Sequence, residues 1–333
     1  MGSRNFTRRA LVGGVVGALA LALTACGGGS GTTAGGTSGG GAAKTIVMGF
    51  AQVGAESGWR TANTKSIQES AKKAGVELKF SDAQQKQENQ IKAIRSYIQQ
   101  KVDVIGFSPV VETGWDTVLK EAKDAGIPVV LTDRSVDSAD KSLYVTFLGS
   151  DFVAEGKKAG EWAVTEFGDK PTTVVELQGT TGAAPAIDRK KGFGDAIASK
   201  PNIKIVASQT GDFTRAGGKQ VMEAFLKSNP KIDLVYAHND DMGLGAIEAI
   251  EAAGLVPGKD VKIVTVDAVK DGMTALAAGK INFIVECNPI LGPQLMDIAK
   301  KVLSGGKVDA RIVTDETAFT QEQAVAALPT RAY

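Results

Sequence analysis

Residues 45–99 read TIVMGFAQVGAESGWRTANTKSIQESAKKAGVELKFSDAQQKQENQIKAIRSYIQ, and this stretch decides the fold. The apolar run Thr45–Phe50 has the length of a buried strand. A helical pattern from Gly58 to Ala74 follows it, then a second strand over Glu77–Ser81. Gln87–Gln99 places Ile91, Ile94 and Ile98 on one helical face. Moving outward, Val104–Ser108, Trp115–Ala125, Pro128–Thr132 and Leu143–Leu148 continue the alternation of strand and helix. A second series begins after Gly149-Ser150-Asp151 with a helix to about Phe167. Its strands are expected at Thr173–Gln178, Ile203–Gln209, Leu234–His238, Ile263–Asp267 and Ile281–Glu286. Alternating strands and helices at this spacing give parallel sheets covered on both faces. The fold class is therefore α/β, as two doubly wound parallel-sheet lobes of similar length with a boundary near Leu148–Asp151.

The ends of the chain add an address. Arg4, Arg8 and Arg9 precede the apolar segment Ala10–Leu23, and Leu23-Thr24-Ala25-Cys26 closes it. A basic start, a short apolar core and small residues at a cut site make a secretory signal, too short for a membrane span. The ending resembles a bacterial lipobox, which implies cleavage after residue 25 and a lipid on Cys26. Thr7–Val12 also resembles a twin-arginine signal. Residues 26–43 are then the lipidated cysteine and a Gly/Ser-rich tether, a coil with a reach of about 20–25 Å. The expected location is the outer face of the cytoplasmic membrane. With Cys26 acylated, Cys287 has no partner for a disulfide, since the chain has only 2 cysteines. Thirty-eight basic and 37 acidic residues leave no electrostatic footprint for nucleic acid.

In open α/β sheets ligands bind beyond the carboxyl ends of the strands. Those ends carry Glu56, Ser57, Gly58, Trp59 and Arg60, then Asp133-Arg134. In the second half they carry Asp188-Arg189, Asp212, His238-Asn239-Asp240-Asp241, Asp267 and Glu286. Carboxylates, amides and guanidinium forks each take neighbouring hydroxyls, and a tryptophan face covers the C–H side of a sugar ring. The set suits a neutral polyol. Asp and Asn at these junctions also serve as helix N-caps, Asp133-Arg134 also reads as a surface ion pair, and Trp59 as core filling.

These residues, with the strings Gln52–Arg60, Asp82–Gln90, Ala186–Phe193 and Tyr236–Met242, resemble the type I periplasmic sugar-binding proteins. Those are the ribose- and galactose-binding receptors of ABC importers, and the strings are most similar to galactofuranose-binding members. The resemblance implies two lobes joined by a three-crossing hinge that closes over one sugar. It implies an N-terminal lobe of 44–150 plus about 287–312 and a C-terminal lobe of 151–286 plus about 313–333. Glu56–Arg60 would form one wall with Trp59 against the ring. Asp133, Arg134, Arg189, Asn239 and Asp267 would bond hydroxyls, and Glu286 would add a contact near the second crossing. The implied partners are a monosaccharide (galactofuranose foremost), an ABC permease with its ATPase, and the membrane through Cys26. A monomer without cofactor is expected, and no metal is expected because no calcium-loop run D-x-[DN]-x-[DN]-G occurs.

Two other readings remain at this point. A sugar-sensing receptor would share the same binding body. A glycoside hydrolase could pair Glu56 with Asp267, but the only histidine is His238 and no nucleophile-elbow motif precedes a helix.

Overall fold

The structure, a computed structural model, describes residues 44–229 and 231–333. The expected export signal, the expected lipid site at Cys26 and the expected tether lie outside them. The chain runs β1 (Val47–Gln52), α1 (Gly58–Ala74), β2 (Glu77–Asp82), α2 (Gln87–Gln99), β3 (Val104–Phe107), α3 (Asp116–Asp124), β4 (Val129–Thr132) and β5 (Thr146–Gly149). It continues α4 (Phe152–Phe167), β6 (Thr172–Gln178), α5 (Ala184–Ile197), β7 (Ile203–Thr210), α6 (Arg215–Ser228), β8 (Leu234–Ala237) and α7 (Asp240–Ala252). The last elements are β9 (Lys262–Asp267), α8 (Lys270–Ala277), β10 (Phe283–Glu286), α9 (Gly292–Leu303), β11 (Arg311–Val313), β12 (Ala318–Phe319) and α10 (Gln321–Ala327).

Two six-stranded sheets result, ordered β11-β5-β4-β3-β1-β2 and β12-β10-β9-β8-β6-β7. Every pairing is parallel except that of β12 with β10. Each sheet reverses its order about its first strand, at β1 and at β6, which makes a switch point whose open end faces the ligand side. The central strands β3, β4 and β8 are buried throughout and apolar except for Thr132, as suits strands covered by helices on both faces.

The chain passes between the sheets three times, after β5, after β10 and after β11. After the second passage, Leu291, Leu295 and Met296 of the α9 region pack with Met48, Phe50 and Ile67 of the first sheet's core. The three crossings meet on one carboxylate. Glu316 accepts from Ser150 Oγ, from Asn288 N at 2.9 Å and from Thr314 Oγ1 at 2.8 Å.

Local chemistry explains most boundaries. Ser57, Asp151, Thr214, Asn239 and Thr320 each cap a helix by accepting a backbone N–H. Gly75 ends α1 in the left-handed conformation. The expected strand over Leu143–Leu148 starts later, at Thr146, because Lys141–Leu143 is a 3₁₀ turn capped by Asp140. β11 and β12 were not expected. At three and two residues they are too short to show an alternation.

Candidate functional site

The strand ends of the two halves face each other across a cavity lined by residues of both. The halves touch around it: Gly58 N donates to Asp241 Oδ2 (2.7 Å) and Glu112 N to Gly182 O (2.9 Å). The Arg134 guanidinium sits 5.2 Å from the Phe213 ring centre. The molecule is thus in a closed form.

The first half contributes a woven set of charges. Arg60, buried in the first turn of α1, donates from Nε to Glu56 Oε1 (3.0 Å) and from Nη2 to Asp133 Oδ2 (2.6 Å). Its Nη1 reaches Gln52 Oε1 at 3.2 Å and Ser108 Oγ at 3.4 Å. Arg60 is therefore fully occupied holding Glu56 and Asp133 in place. Arg134 donates to Val110 O (3.2 Å) and lies 3.5 Å from Glu56 Oε1. Burial, with Arg60 as a like charge, lowers its guanidinium to about 10, still charged at neutral pH. Asp133 itself has φ 61°, a left-handed residue at the end of β4.

In the second half, Arg189 of α5 donates from Nε to Glu155 Oε2 (2.7 Å) and from Nη1 to His238 O (2.6 Å), with Asp267 Oδ1 3.9 Å from Nη2. This geometry depends on two helices packing backbone to backbone. A Cβ on Gly156 would lie 2.2 Å from Arg189 O, so glycine lets α4 carry Glu155 up to α5. Burial raises Glu155 to about 8 against the pull of Arg189, and burial raises Asp267 as well.

The lining comprises Glu56, Ser57, Trp59, Arg60, Asp133, Arg134, Pro185, Arg189, Phe213, Asn239, Asp267 and Cys287. Three carboxylates and three guanidinium groups balance formally. Several buried atoms here lack partners, namely Glu56 Oε2, Arg134 Nε and Asp267 Oδ2. Unpaired buried polar atoms are costly, so a cavity that gathers three of them is built for a ligand with hydroxyl groups.

Not every expected residue faces the cavity. Glu286 does not line it; its carboxylate binds Arg331 Nη1 (2.7 Å), Tyr333 OH (2.8 Å) and Thr317 N (3.1 Å), because the chain terminus returns to β10. Gly58 is spent on Asp241 across the cleft, and the Ser57 hydroxyl caps α1. Asn239 lines the cavity but caps α7 and donates to Phe213 O (3.0 Å). Trp59 borders the cavity and is anchored by Nε1 to Cys287 O (2.7 Å). Two apolar wall residues, Pro185 and Phe213, escaped the reading of the sequence. Phe213 adopts φ 61°, and its ring fits only because Gly179 has no side chain; a Cβ there would lie 1.8 Å from the ring. The signal was Gly179 directly after a strand, with a lone aromatic in the next loop.

His238 supports the site from behind. Its Nδ1 accepts from Gly179 N (3.4 Å), so Nε2 carries the proton and donates to Glu176 Oε1 (3.1 Å). Burial holds the imidazole below its usual 6.5, with Glu176 pulling the other way. The unfolded chain then takes up a proton that the folded chain refuses, and stability falls as the pH drops through about 6.5. Urea midpoints between about pH 5 and 7 should show this slope, and His238→Gln should flatten it. An unchanged slope in the variant would place the titration elsewhere.

Among the described residues, Glu155, Cys287 and Glu316 bring potential metal-ligating atoms within 4.8 Å of one another. The cationic Arg189 at Glu155 and the three donors already on Glu316 oppose a cation there.

Comparison with known proteins agrees with this geometry. The model of the periplasmic binding protein domain matches residues 48–307. The galactofuranose-binding protein YtfQ of Escherichia coli K12 is 51% identical over 286 residues, 85% of this chain and 90% of that protein. A Mycobacterium smegmatis structure in complex with β-D-fucofuranose is 66% identical with a TM-score of 0.86, covering 87% of this chain and 96% of that one. The binding component of the arabinose ABC transporter of Shewanella sp. ANA-3, bound to α- and β-L-arabinofuranose, is 51% identical with a TM-score of 0.84, covering 86% and 96%. With its two parallel sheets, three crossings and cavity between the strand ends, this chain belongs to the periplasmic binding protein family.

Proposed function

We propose that this chain is the solute receptor of an ABC sugar importer and takes one monosaccharide, galactofuranose foremost, into the cavity between its lobes. The observation that carries this is the trio of partnerless buried atoms, Glu56 Oε2, Arg134 Nε and Asp267 Oδ2, on a wall of balanced charge. Sugar hydroxyls donate to the two carboxylate oxygens and accept from the arginine, so one ligand satisfies all three. The furanose-bound relatives support the ring form.

Binding residues in this reading are Glu56, Asp133, Arg134, Arg189, Asn239 and Asp267, with Trp59, Phe213 and Pro185 as apolar walls. A sugar held by 44–150 plus about 287–312 on one side and by the rest on the other would stabilise the closed form over the open one. A lipid on Cys26 and a loose tether would keep the receptor beside its permease. A hydrolase is disfavoured because the arginine forks serve ground-state binding, and the sole histidine is committed to Glu176.

Isothermal calorimetry of the purified protein against D-galactose, D-fucose, L-arabinose and D-ribose tests the reading. Binding near the micromolar range, about −8 kcal/mol, is expected for sugars that populate a matching furanose form. Silence across the panel would overturn it.

A further inference from the structure

The carboxylate of Asp267 enters the cavity from a turn that its own backbone does not favour. Asp267 has φ 126° and Ala268 φ 64°, two consecutive non-glycine residues in the region that favours glycine. Such a turn persists only where its surroundings fix it. Two donors do so. Cys287 N donates to Asp267 O (3.1 Å), and Arg331 Nε donates to Ala268 O (2.7 Å).

Arg331 is itself held on every side. Its Nη1 pairs with Glu286 Oε1 (2.7 Å) and its Nη2 donates to Tyr333 OH (2.6 Å), whose hydroxyl donates to Glu286 Oε1 (2.8 Å). The guanidinium carbon lies 4.1 Å from the Tyr333 ring centre and 5.2 Å from that of Phe319. Glu286 pairs with Asp267 in the register of β9 and β10, so the clamp starts one strand from the residue it holds. Arg331 also lies near enough to Asp240 to favour its anion, and Asp240 Oδ2 receives Val269 N (2.8 Å) just beyond the turn.

We propose that Arg331, outside the cavity lining, is a positioning residue that holds the Asp267–Ala268 turn in its binding geometry through its bond to Ala268 O, and is itself held by Glu286 and Tyr333. The inference rests on the sugar-binding reading above. It explains why the polar group at the end of β10 serves the site without facing the ligand.

A double-mutant cycle in the purified protein tests it, with the four sugars named above as probes. Arg331→Ala should raise Kd about tenfold, and Asp267→Asn should raise it at least as much. The double variant should be little worse than Asp267→Asn alone, because Arg331 acts through that side chain. Arg331→Lys, which lacks the fork, should recover only part of the loss. A separate measurement needs no ligand. Amide exchange at Val269 and Cys287 should quicken in Arg331→Ala while Val264, inside β9, stays protected. Additive losses in the cycle, or exchange at Val269 and Cys287 equal to that of the parent, would overturn the proposal. If no sugar binds the parent, the sugar reading falls, and the exchange result still decides the role of Arg331.

Discussion

Replacing Arg189 with alanine is expected to abolish most sugar binding and to weaken the fold as well. The guanidinium makes two short bonds, to Glu155 Oε2 at 2.7 Å and to His238 O at 2.6 Å, and stands 3.9 Å from Asp267 Oδ1. It also lies 5.1 Å from the Phe152 ring centre. Alanine leaves Glu155 and Asp267 buried without their cation, and the remaining oxygen of Glu155 already lacks a partner. Removing one member of a buried pair costs about 3–5 kcal/mol. Part of that cost escapes as protonation of the two carboxylates, both of which burial already pushes upward. The expected loss in affinity is more than about 2 kcal/mol, roughly 30-fold in Kd. Calorimetry and urea unfolding measured together would separate the two losses. Arg189→Lys keeps a charge but not the fork, and should recover stability better than affinity. A Kd within twofold of the parent for Arg189→Ala would mean that the cavity is not the binding site.

The sequence was most legible where one short range of residues controls the outcome. Helix α1 begins and ends at its caps Ser57 and Gly75, and α2 runs where its apolar periodicity places it, because both signals lie within a few residues. Strand ends were legible for the same reason, and rules about open α/β sheets turned that list into a site. What could not be read was the use to which each polar group is put. Arg60 and Arg134 lie in the same cavity, yet Arg60 is consumed by Glu56, Asp133, Gln52 and Ser108, while Arg134 keeps a free Nε. Asn239 is the residue that caps α7, where Asp240 and Asp241 carry an equal intrinsic preference. Asp240 instead ties α7 to Thr265 and Val269, and Asp241 reaches the opposite half. Glu286 was drawn away from the ligand by Arg331, a partner 45 residues onward that no local pattern announces. Long-range pairing of this kind is set by topology, and the sheet order that decides it includes two strands too short to foresee.

Asp133→Ala is the second large effect, and its cause is different. Asp133 Oδ2 accepts from Arg60 at 2.6 Å and from Ser108 at 2.8 Å, and stands 3.7 Å from Arg134 Nε. Without it two buried guanidinium groups share only Glu56, and the balanced lining becomes cationic. Affinity for a neutral sugar should fall by more than about 2 kcal/mol, because in the proposed binding mode the sugar hydroxyl donating to Asp133 would face uncompensated positive charge. The backbone adds a second penalty, since φ is 61° and alanine tolerates the left-handed region poorly, at a cost of about 1 kcal/mol. Asparagine tolerates it well. Comparing the two substitutions therefore divides charge from conformation: Asp133→Asn should lose nearly as much affinity as Asp133→Ala while keeping about 1 kcal/mol more stability. The cationic cavity should also change its preference. In both variants D-galacturonate should gain on D-galactose relative to the parent, since its carboxylate replaces the missing charge. Equal discrimination in parent and variants would show that Asp133 shapes the wall without setting its charge.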